Sequence, residues 1–257
     1  MRSDVAAPQA PPLLAVFVHP DDEFAAFPWL RRALADGRAV DAVWLTDGGW
    51  GGQDMARRRA ESVAVLSALG MDPARMHFCG EQWGIADGGL HLRLDEAVPR
   101  AVERFGSLRG GEVLMPAWEG GHHDHDAGHL VGIAVAQARG ARMWQFSLYH
   151  GEGLRGPWFK VLSPLPDNGA SEVLPTTLGE RLRYAAACLA YRSQWKSFVG
   201  LLPFYLWRML GADAFRRQPV DPRRTAQRPH AGAMLYERRG GPSWAEFAAA
   251  TAAHRQA

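Results

Sequence analysis

Leu13-Leu14-Ala15-Val16-Phe17-Val18-His19-Pro20-Asp21-Asp22-Glu23 is the stretch on which the fold turns. Its apolar run, rich in Leu and Val, reads as a strand buried on both faces of a parallel sheet. The polar residues that follow then lie on the loop at the carboxyl end of that strand, where open α/β sheets hold their ligands. Asp22 as a helix cap and Pro20 as a rigid corner would account for an ordinary strand-to-helix turn. They do not account for an imidazole and two adjacent carboxylates packed around that proline. Groups this close need water, a metal ion or partners to offset their mutual field.

Working outward, Phe24 to Asp36 has apolar residues at helical spacing and stops at Gly37. Val40 to Leu45 is a second strand, Met55 to Leu69 a helix closed by Gly70, and Met76 to Cys79 a short third strand. Leu92 to Phe105 is a helix, Glu112 to Pro116 a fourth strand, Ala127 to Arg139 a helix and Met143 to Tyr149 a fifth strand. This alternation predicts an α/β fold with a mostly parallel, doubly wound central sheet. The glycine-rich segment ending at Gly52 lacks the spacing of a phosphate-binding loop. Beyond Gly151 the pattern weakens. An edge strand is expected over Trp158 to Leu162, helices over Leu178 to Trp195 and Trp244 to Ala253, and a late strand over Met234 to Arg238. The chain therefore reads as a single domain over 1–257, with a core over about 12–150 and a C-terminal helical and strand appendage over about 151–257.

Bulk composition excludes several classes. A hydrophobic content of 47% with 22% charged residues is that of a soluble globular chain, and a net charge of +2 gives no nucleic-acid footprint. Cys79 and Cys188 stand far apart and lack CxxC spacing, so neither a disulfide framework nor a thiolate zinc site is indicated. No segment approaches the ~20 apolar residues of a membrane helix. The first dozen residues read as a floppy leader, and the expected location is cytoplasmic.

The densest histidine cluster, His122-His123-Asp124-His125, follows the fourth strand and a Gly120-Gly121 hinge. An Asp helix cap does not explain three imidazoles there. If the strands run in the order 3-2-1-4-5, the first and fourth flank the switch point, and the two polar loops face each other across one crevice. The His19 and Asp22 pair with one distant His gives two nitrogens and one oxygen, a ligand set for catalytic zinc. Asp21, beside Asp22 in a tight loop, is then free to serve as general base.

His19-Pro20-Asp21-Asp22-Glu23 resembles the HPDDE motif of the PIG-L/LmbE-like zinc-dependent N-acetylglucosaminyl deacetylases, and His122 to His125 is similar to their HxDH motif. Arg58 and Glu61 fit the family's intermediate R-x-x-E element, while His123 stands where the family usually has proline. The resemblance covers about the first 150 residues. It implies a Rossmann-like three-layer sandwich and hydrolysis of an N-acyl group on an amino sugar, including lipid-linked sugars and glycosylated natural products. By position it implies His19, Asp22 and His125 as zinc ligands and Asp21 as base. It also implies His122 as oxyanion stabiliser or proton donor, Asp124 as its orienting partner, and Arg58 as a sugar contact. The extra imidazole of His123 leaves metal preference open, with Fe2+ as the alternative to Zn2+.

Trp50, Trp83, Trp118 and His150 fall near strand ends and are candidates to stack on a sugar, as are Tyr191 to Gln194 and His230 for a pocket wall. The apolar stretch Phe198 to Leu210 is expected to be core, a substrate lid or, last, a peripheral membrane contact. Two rival functions stand beside the sugar deacetylase: a metal-dependent hydrolase of a non-sugar amide, and a non-catalytic carbohydrate-binding protein that retains a metal. A spare carboxylate at Asp21 argues against the second.

Overall fold

The strand that opens the fold feeds two cores at once. In β1 (Leu13–Phe17) and the residue after it, Leu13, Ala15 and Phe17 enter one apolar cluster while Leu14, Val16 and Val18 enter the other. That follows from the period of two along a strand whose faces are both covered. The architecture is that of a computed structural model describing residues 10–107, 109–194 and 203–255.

The main sheet adds β2 (Val40–Trp44), β3 (Met76–Phe78), β4 (Glu112–Pro116) and β5 (Arg142–Phe146) in parallel. Its full order is β3-β2-β1-β4-β5-β9-β8, with β8 at Glu172–Val173 and β9 at Arg216–Pro219, so β1 and β4 are neighbours as the switch-point argument requires. Helices α1 (Phe27–Ala35), α2 (Met55–Ala68) and α6 (Leu178–Cys188) cover one face. Helices α4 (Leu94–Phe105) and α5 (His123–Arg139) cover the other, with α3 (Cys79–Trp83) between β3 and α4. Mostly parallel strands between two helical layers make a Rossmann-like α/β fold.

The C-terminal third is more than an appendage laid on the sheet. It supplies β8 (Glu172–Val173) and β9 (Arg216–Pro219), which extend the sheet antiparallel from β5. These strands are polar and short, and side chains rather than apolar periodicity fix them. The Arg217 guanidinium lies 3.8 Å from the Trp144 ring centroid and 4.5 Å from that of Trp29, and it pairs with Glu172 at 3.1 Å. The expected edge strand near Trp158 to Leu162 shortens to β7 (Lys160–Val161), paired with β6 (Tyr149–His150) in a separate ribbon. The late strand expected over Met234 to Arg238 is instead a helical turn, Leu235–Arg238. There the Glu237 carboxylate accepts from the Met234 amide at 2.5 Å, a capping interaction that an apolar triplet does not reveal.

The helix expected up to Trp195 ends at Cys188, followed by a short turn at Arg192–Gln194; Trp195 lies outside the described residues. Of the stretch Phe198 to Leu210, residues 198–202 lie outside them too. Residues 203–209 are helical, with Tyr205 and Met209 buried and Phe204 and Trp207 exposed. Among the described residues no helix is long and apolar enough to cross a membrane. Both cysteines are free and buried.

Candidate active site

After Val18 the chain folds back on a carboxylate. Asp22 Oδ2 accepts from the backbone amides of Val18 at 3.0 Å and His19 at 2.8 Å, which leaves Oδ1 turned toward His125. Asp21 between them has φ 123°, a conformation that costs a non-glycine residue ~1–3 kcal/mol. Three contacts hold it there. Its amide donates to Glu23 Oε2 at 3.0 Å, its carbonyl accepts from the Phe24 amide at 3.2 Å, and Arg58 Nη2 donates to the preceding Pro20 carbonyl at 2.8 Å. Glu23 is fully buried and also accepts from Trp44 Nε1 at 3.2 Å and the Tyr191 hydroxyl at 2.8 Å. The last residue of the HPDDE motif is thus the anchor of the loop.

The second cluster is delivered by a tight corner. Gly120 has φ 70°, and a Cβ on Gly121 would sit 1.8 Å from the Tyr149 carbonyl oxygen, so this Gly-Gly pair lets the backbone pass where side chains could not. Asp126 Oδ1 accepts from the Glu119 and Gly120 amides, both at 3.1 Å, and ties the corner to the first turn of α5. His122 is the N-cap of α5, its Nδ1 accepting from the Asp124 amide at 3.2 Å. A neutral ring that accepts at Nδ1 carries its proton on Nε2, so the free edge of His122 is a donor.

The two loops meet. His19 Nδ1 lies 3.2 Å from His125 Nε2 and 3.7 Å from Asp22 Oδ2, and His125 Nε2 lies 3.2 Å from Asp22 Oδ1. His122 joins them, since His19, His122 and His125 each present a ring nitrogen within 4.8 Å of the other two. Asp21 stays outside this knot, with its Oδ1 3.4 Å from Arg58 Nη2.

Arg58 and Asp124 sit differently from the expectation. The Arg58 guanidinium is a buried strut that donates to the carbonyls of Gly48 and Pro20 and pairs with Asp21 and Asp87, although it still lines the cleft. The Asp124 amide, not its carboxylate, bonds His122. The carboxylate accepts from the Gly88 amide at 2.6 Å and the Leu90 amide at 3.0 Å, and faces His19 Nε2 at 3.6 Å. Asp87 was not visible in the sequence. It lies 3.1 Å from His19 Nε2 and lines the cleft, yet the only local signal is an Asp87-Gly88 turn pair.

Burial opposes charge throughout, and the partners decide the outcome. Burial works against the His19 imidazolium, but the carboxylates of Asp87, Asp124 and Asp22 outweigh it and hold the ring well above its ordinary pKa. Burial likewise opposes the Asp22 carboxylate, and His125 and His19 outweigh it in the other direction. Asp21 lacks such compensation: burial pushes it up to about 8, against the pull of Arg58. His122 is held well below its ordinary value by burial and by the neighbouring His19 and His125. The buried Asp22 carboxylate and the ring nitrogens of His19 and His125, with contacts of 3.2–3.7 Å among them, form a donor set suited to a divalent cation.

Above the cluster lies a cleft with about 730 Å³ of open space. Trp50, 66% exposed, lines it as expected, as does Gln194. Trp118 is fully buried in the core instead, with its indole N–H donating to the Gln227 carbonyl at 3.1 Å. Tyr149 and Tyr205 complete the wall; the Tyr205 hydroxyl donates to the Leu148 carbonyl at 3.0 Å.

A doubly wound sheet with a His/Asp cluster where the carboxyl ends of β1 and β4 meet defines the class: an α/β protein with a candidate metal centre at its switch point. Residues 14–136 match the family described as PIG-L: GlcNAc-PI de-N-acetylase and form a PIG-L domain. Solved structures share the fold. One is a deacetylase–bog complex from the biosynthesis pathway of teicoplanin, at 17% identity and TM-score 0.61, covering 81% of this chain and 97% of that one. Another is Dbv21, the A40926 pseudoaglycone deacetylase, at 20% identity and TM-score 0.57, covering 82% and 97%. A third is the zinc inhibited form of teicoplanin deacetylase Orf2, at 17% identity and TM-score 0.55, covering 81% and 97%. No curated protein matches the sequence.

Proposed function

We propose that this protein is a zinc-dependent hydrolase that removes the N-acetyl group from an N-acetylglucosamine-type sugar carried on a larger glycoconjugate. The observation that carries the reading is the convergence of His19, Asp22 and His125 within 3.2–3.7 Å, inside a PIG-L domain, with the Asp21 carboxylate alongside but outside the knot.

His19, Asp22 and His125 hold the ion, which when bound supplies Lewis acidity toward water and the amide carbonyl. Asp21 takes the proton of the attacking water. The Arg58 guanidinium aims the carboxylate and pulls it toward the ionised form against the burial that raises it to about 8, so the base is recruited as pH rises toward that value. The His122 Nε2–H donates to the oxyanion that develops on the carbonyl, an interaction worth ~3–4 kcal/mol in preorganised sites. Asp21 then returns that proton to the leaving amine, while His122 stays neutral. The Arg58–Asp87 pair, 3.4 Å apart on the wall of the cleft, offers a donor and an acceptor side by side for sugar hydroxyls. From Tyr149 a file of aromatic rings runs through Phe159 to the exposed Phe204, with centroids 6.5 and 5.5 Å apart, a surface suited to an apolar aglycone. The deacetylases of teicoplanin and A40926 biosynthesis that share this fold are a further reason to test large aglycones.

The test is acetate release with and without a chelator, comparing free N-acetylglucosamine with a glycoside bearing an apolar or lipid aglycone. The expected kcat/KM favours the glycoside at least ~10-fold, since one tenfold step is ~1.4 kcal/mol of added contact. A ratio near one removes the aglycone claim. Metal-loaded protein that releases no acetate from any N-acetyl sugar leaves the non-sugar amide hydrolase as the reading. Elemental analysis of protein purified without added metal separates zinc from Fe2+.

A further inference from the structure

Beneath the candidate catalytic cluster, on the far side of Asp124, a second set of donors converges. His91, His123 and Asp124 are all buried, and each presents one potential ligand atom within 4.8 Å of the others. His91 Nδ1 and His123 Nε2 each lie 3.7 Å from Asp124 Oδ1, and the Gly88 carbonyl oxygen lies 2.9 Å from His123 Nε2. Tetrahedral zinc with ligand bonds of ~2.0–2.1 Å sets its ligand atoms ~3.3 Å apart, and these separations straddle that value. A second observation points the same way. His91 Nδ1 is buried, with the whole residue 7% exposed, and among the described residues it has no partner within hydrogen-bond distance, Asp124 Oδ1 standing off at 3.7 Å. A buried imidazole nitrogen without a partner is destabilising unless something fills that position.

We propose that Asp124 Oδ1, His91 Nδ1, His123 Nε2 and the Gly88 carbonyl form a second site for a divalent ion of the zinc class, separate from the one at His19, Asp22 and His125. The two sites share no donor atom, because it is Asp124 Oδ2 that faces His19. In the free protein the His123 Nε2–H donates to the Gly88 oxygen; when a cation enters, the ring proton moves to Nδ1, no net proton is lost, and Nε2 and the Gly88 oxygen both become donors. Two nitrogens and two oxygens from the 88–91 turn and the first turn of α5 then pin the loop carrying Asp87 against the helix that carries His122 and His125.

The experiment counts ions. Protein stripped with a chelator is dialysed against Zn2+, exchanged into metal-free buffer and analysed for zinc per chain. His91→Phe and His123→Pro are each expected to hold one ion fewer than the parent. Pro suits the first helical position that His123 occupies, so this variant removes the imidazole while keeping the helix start, and far-ultraviolet circular dichroism checks both folds. Asp22→Asn is expected to lose a different ion, so that Asp22→Asn/His91→Phe holds two fewer than the parent. Folded His91→Phe and His123→Pro proteins with the parent's zinc content overturn the second site whatever Asp22→Asn does. If His91→Phe does not fold, His123→Pro decides alone. Loss of zinc in the His91 and His123 variants without loss in Asp22→Asn keeps the second site and overturns the first.

Discussion

At the scale of single residues, Asp21 and Asp22 are neighbours in sequence with opposite environments. Asp22 accepts from two backbone amides and lies 3.2 Å from a histidine nitrogen, whereas the Asp21 residue has φ 123° and its carboxylate lies 3.4 Å from Arg58. Replacing Asp21 by Asn keeps the shape and a side chain tolerant of unusual backbone, so only charge and basicity are lost. Asp21→Asn is expected to retain the parent's metal content and to lower turnover at least ~100-fold, the usual scale for a general base. Elemental analysis and initial rates on Asp21→Asn and Asp22→Asn check this; metal lost from the first and kept by the second reverses the roles. The sequence placed both carboxylates on one tight turn after β1, and the structure gives them different surroundings. The sequence did not hold Asp87 or His91, which lie on a turn between α3 and α4 with no periodicity or motif, and only packing carries them to the cluster.

At the scale of elements, the loop after β1 is held by Glu23, a buried carboxylate that links three separate segments. Its oxygens accept from Asp21 of its own loop, from Trp44 of β2 and from Tyr191 of the C-terminal third. Loss of the acceptor strands several buried donors, and each unsatisfied group is destabilising by ~1–3 kcal/mol. Glu23→Ala is expected to lose at least ~3 kcal/mol in denaturant unfolding and to lower turnover, since the strained Asp21 backbone loses its support. Unchanged unfolding would show that water replaces the carboxylate. Glu61 has a parallel part, accepting from the Ser193 amide at 3.0 Å and its hydroxyl at 2.5 Å, so the R-x-x-E element joins α2 to the turn after α6. Strand order and the meeting of the His19 and His125 loops were legible because long apolar runs and alternation encode them. The strands of the last third were not, because Arg216 to Pro219 is held by guanidinium stacking and ion pairs, and Leu235 to Arg238 is too short for its apolar residues to declare a period.

At the scale of the whole molecule, the corner after β4 is tied to the segment after β5 by a carboxyl group whose charge the fold resists. Glu119 is 1% exposed, and burial pushes it from an ordinary 4.5 to about 7. Hydrogen bonds from the Ser147 hydroxyl at 2.6 Å and the amides of Leu148 at 2.7 Å and Tyr149 at 2.9 Å offset that only in part. The folded state therefore binds the Glu119 proton more tightly than the unfolded state does. Between pH 4.5 and 7 the unfolded chain has released this proton and the folded one retains it, so stability falls as pH rises through the window. The shift of about 2.5 units corresponds to about 3 kcal/mol, fully lost above pH 7. Gln at this position accepts from both amides with its oxygen and donates to Ser147 with its nitrogen, while having nothing to ionise. Glu119→Gln is therefore expected to gain about 2–3 kcal/mol relative to the parent between pH 5 and pH 8, measured as the change in the difference of their unfolding free energies. Asp126, which burial and the neighbouring Glu119 charge hold well above its ordinary value, titrates in both proteins, so the difference carries the Glu119 titration together with its coupling to Asp126. A difference that is the same at both pH values would mean that the three donors keep Glu119 ionised throughout, and the pH sensitivity of the fold would then rest on Asp126 and the histidine cluster.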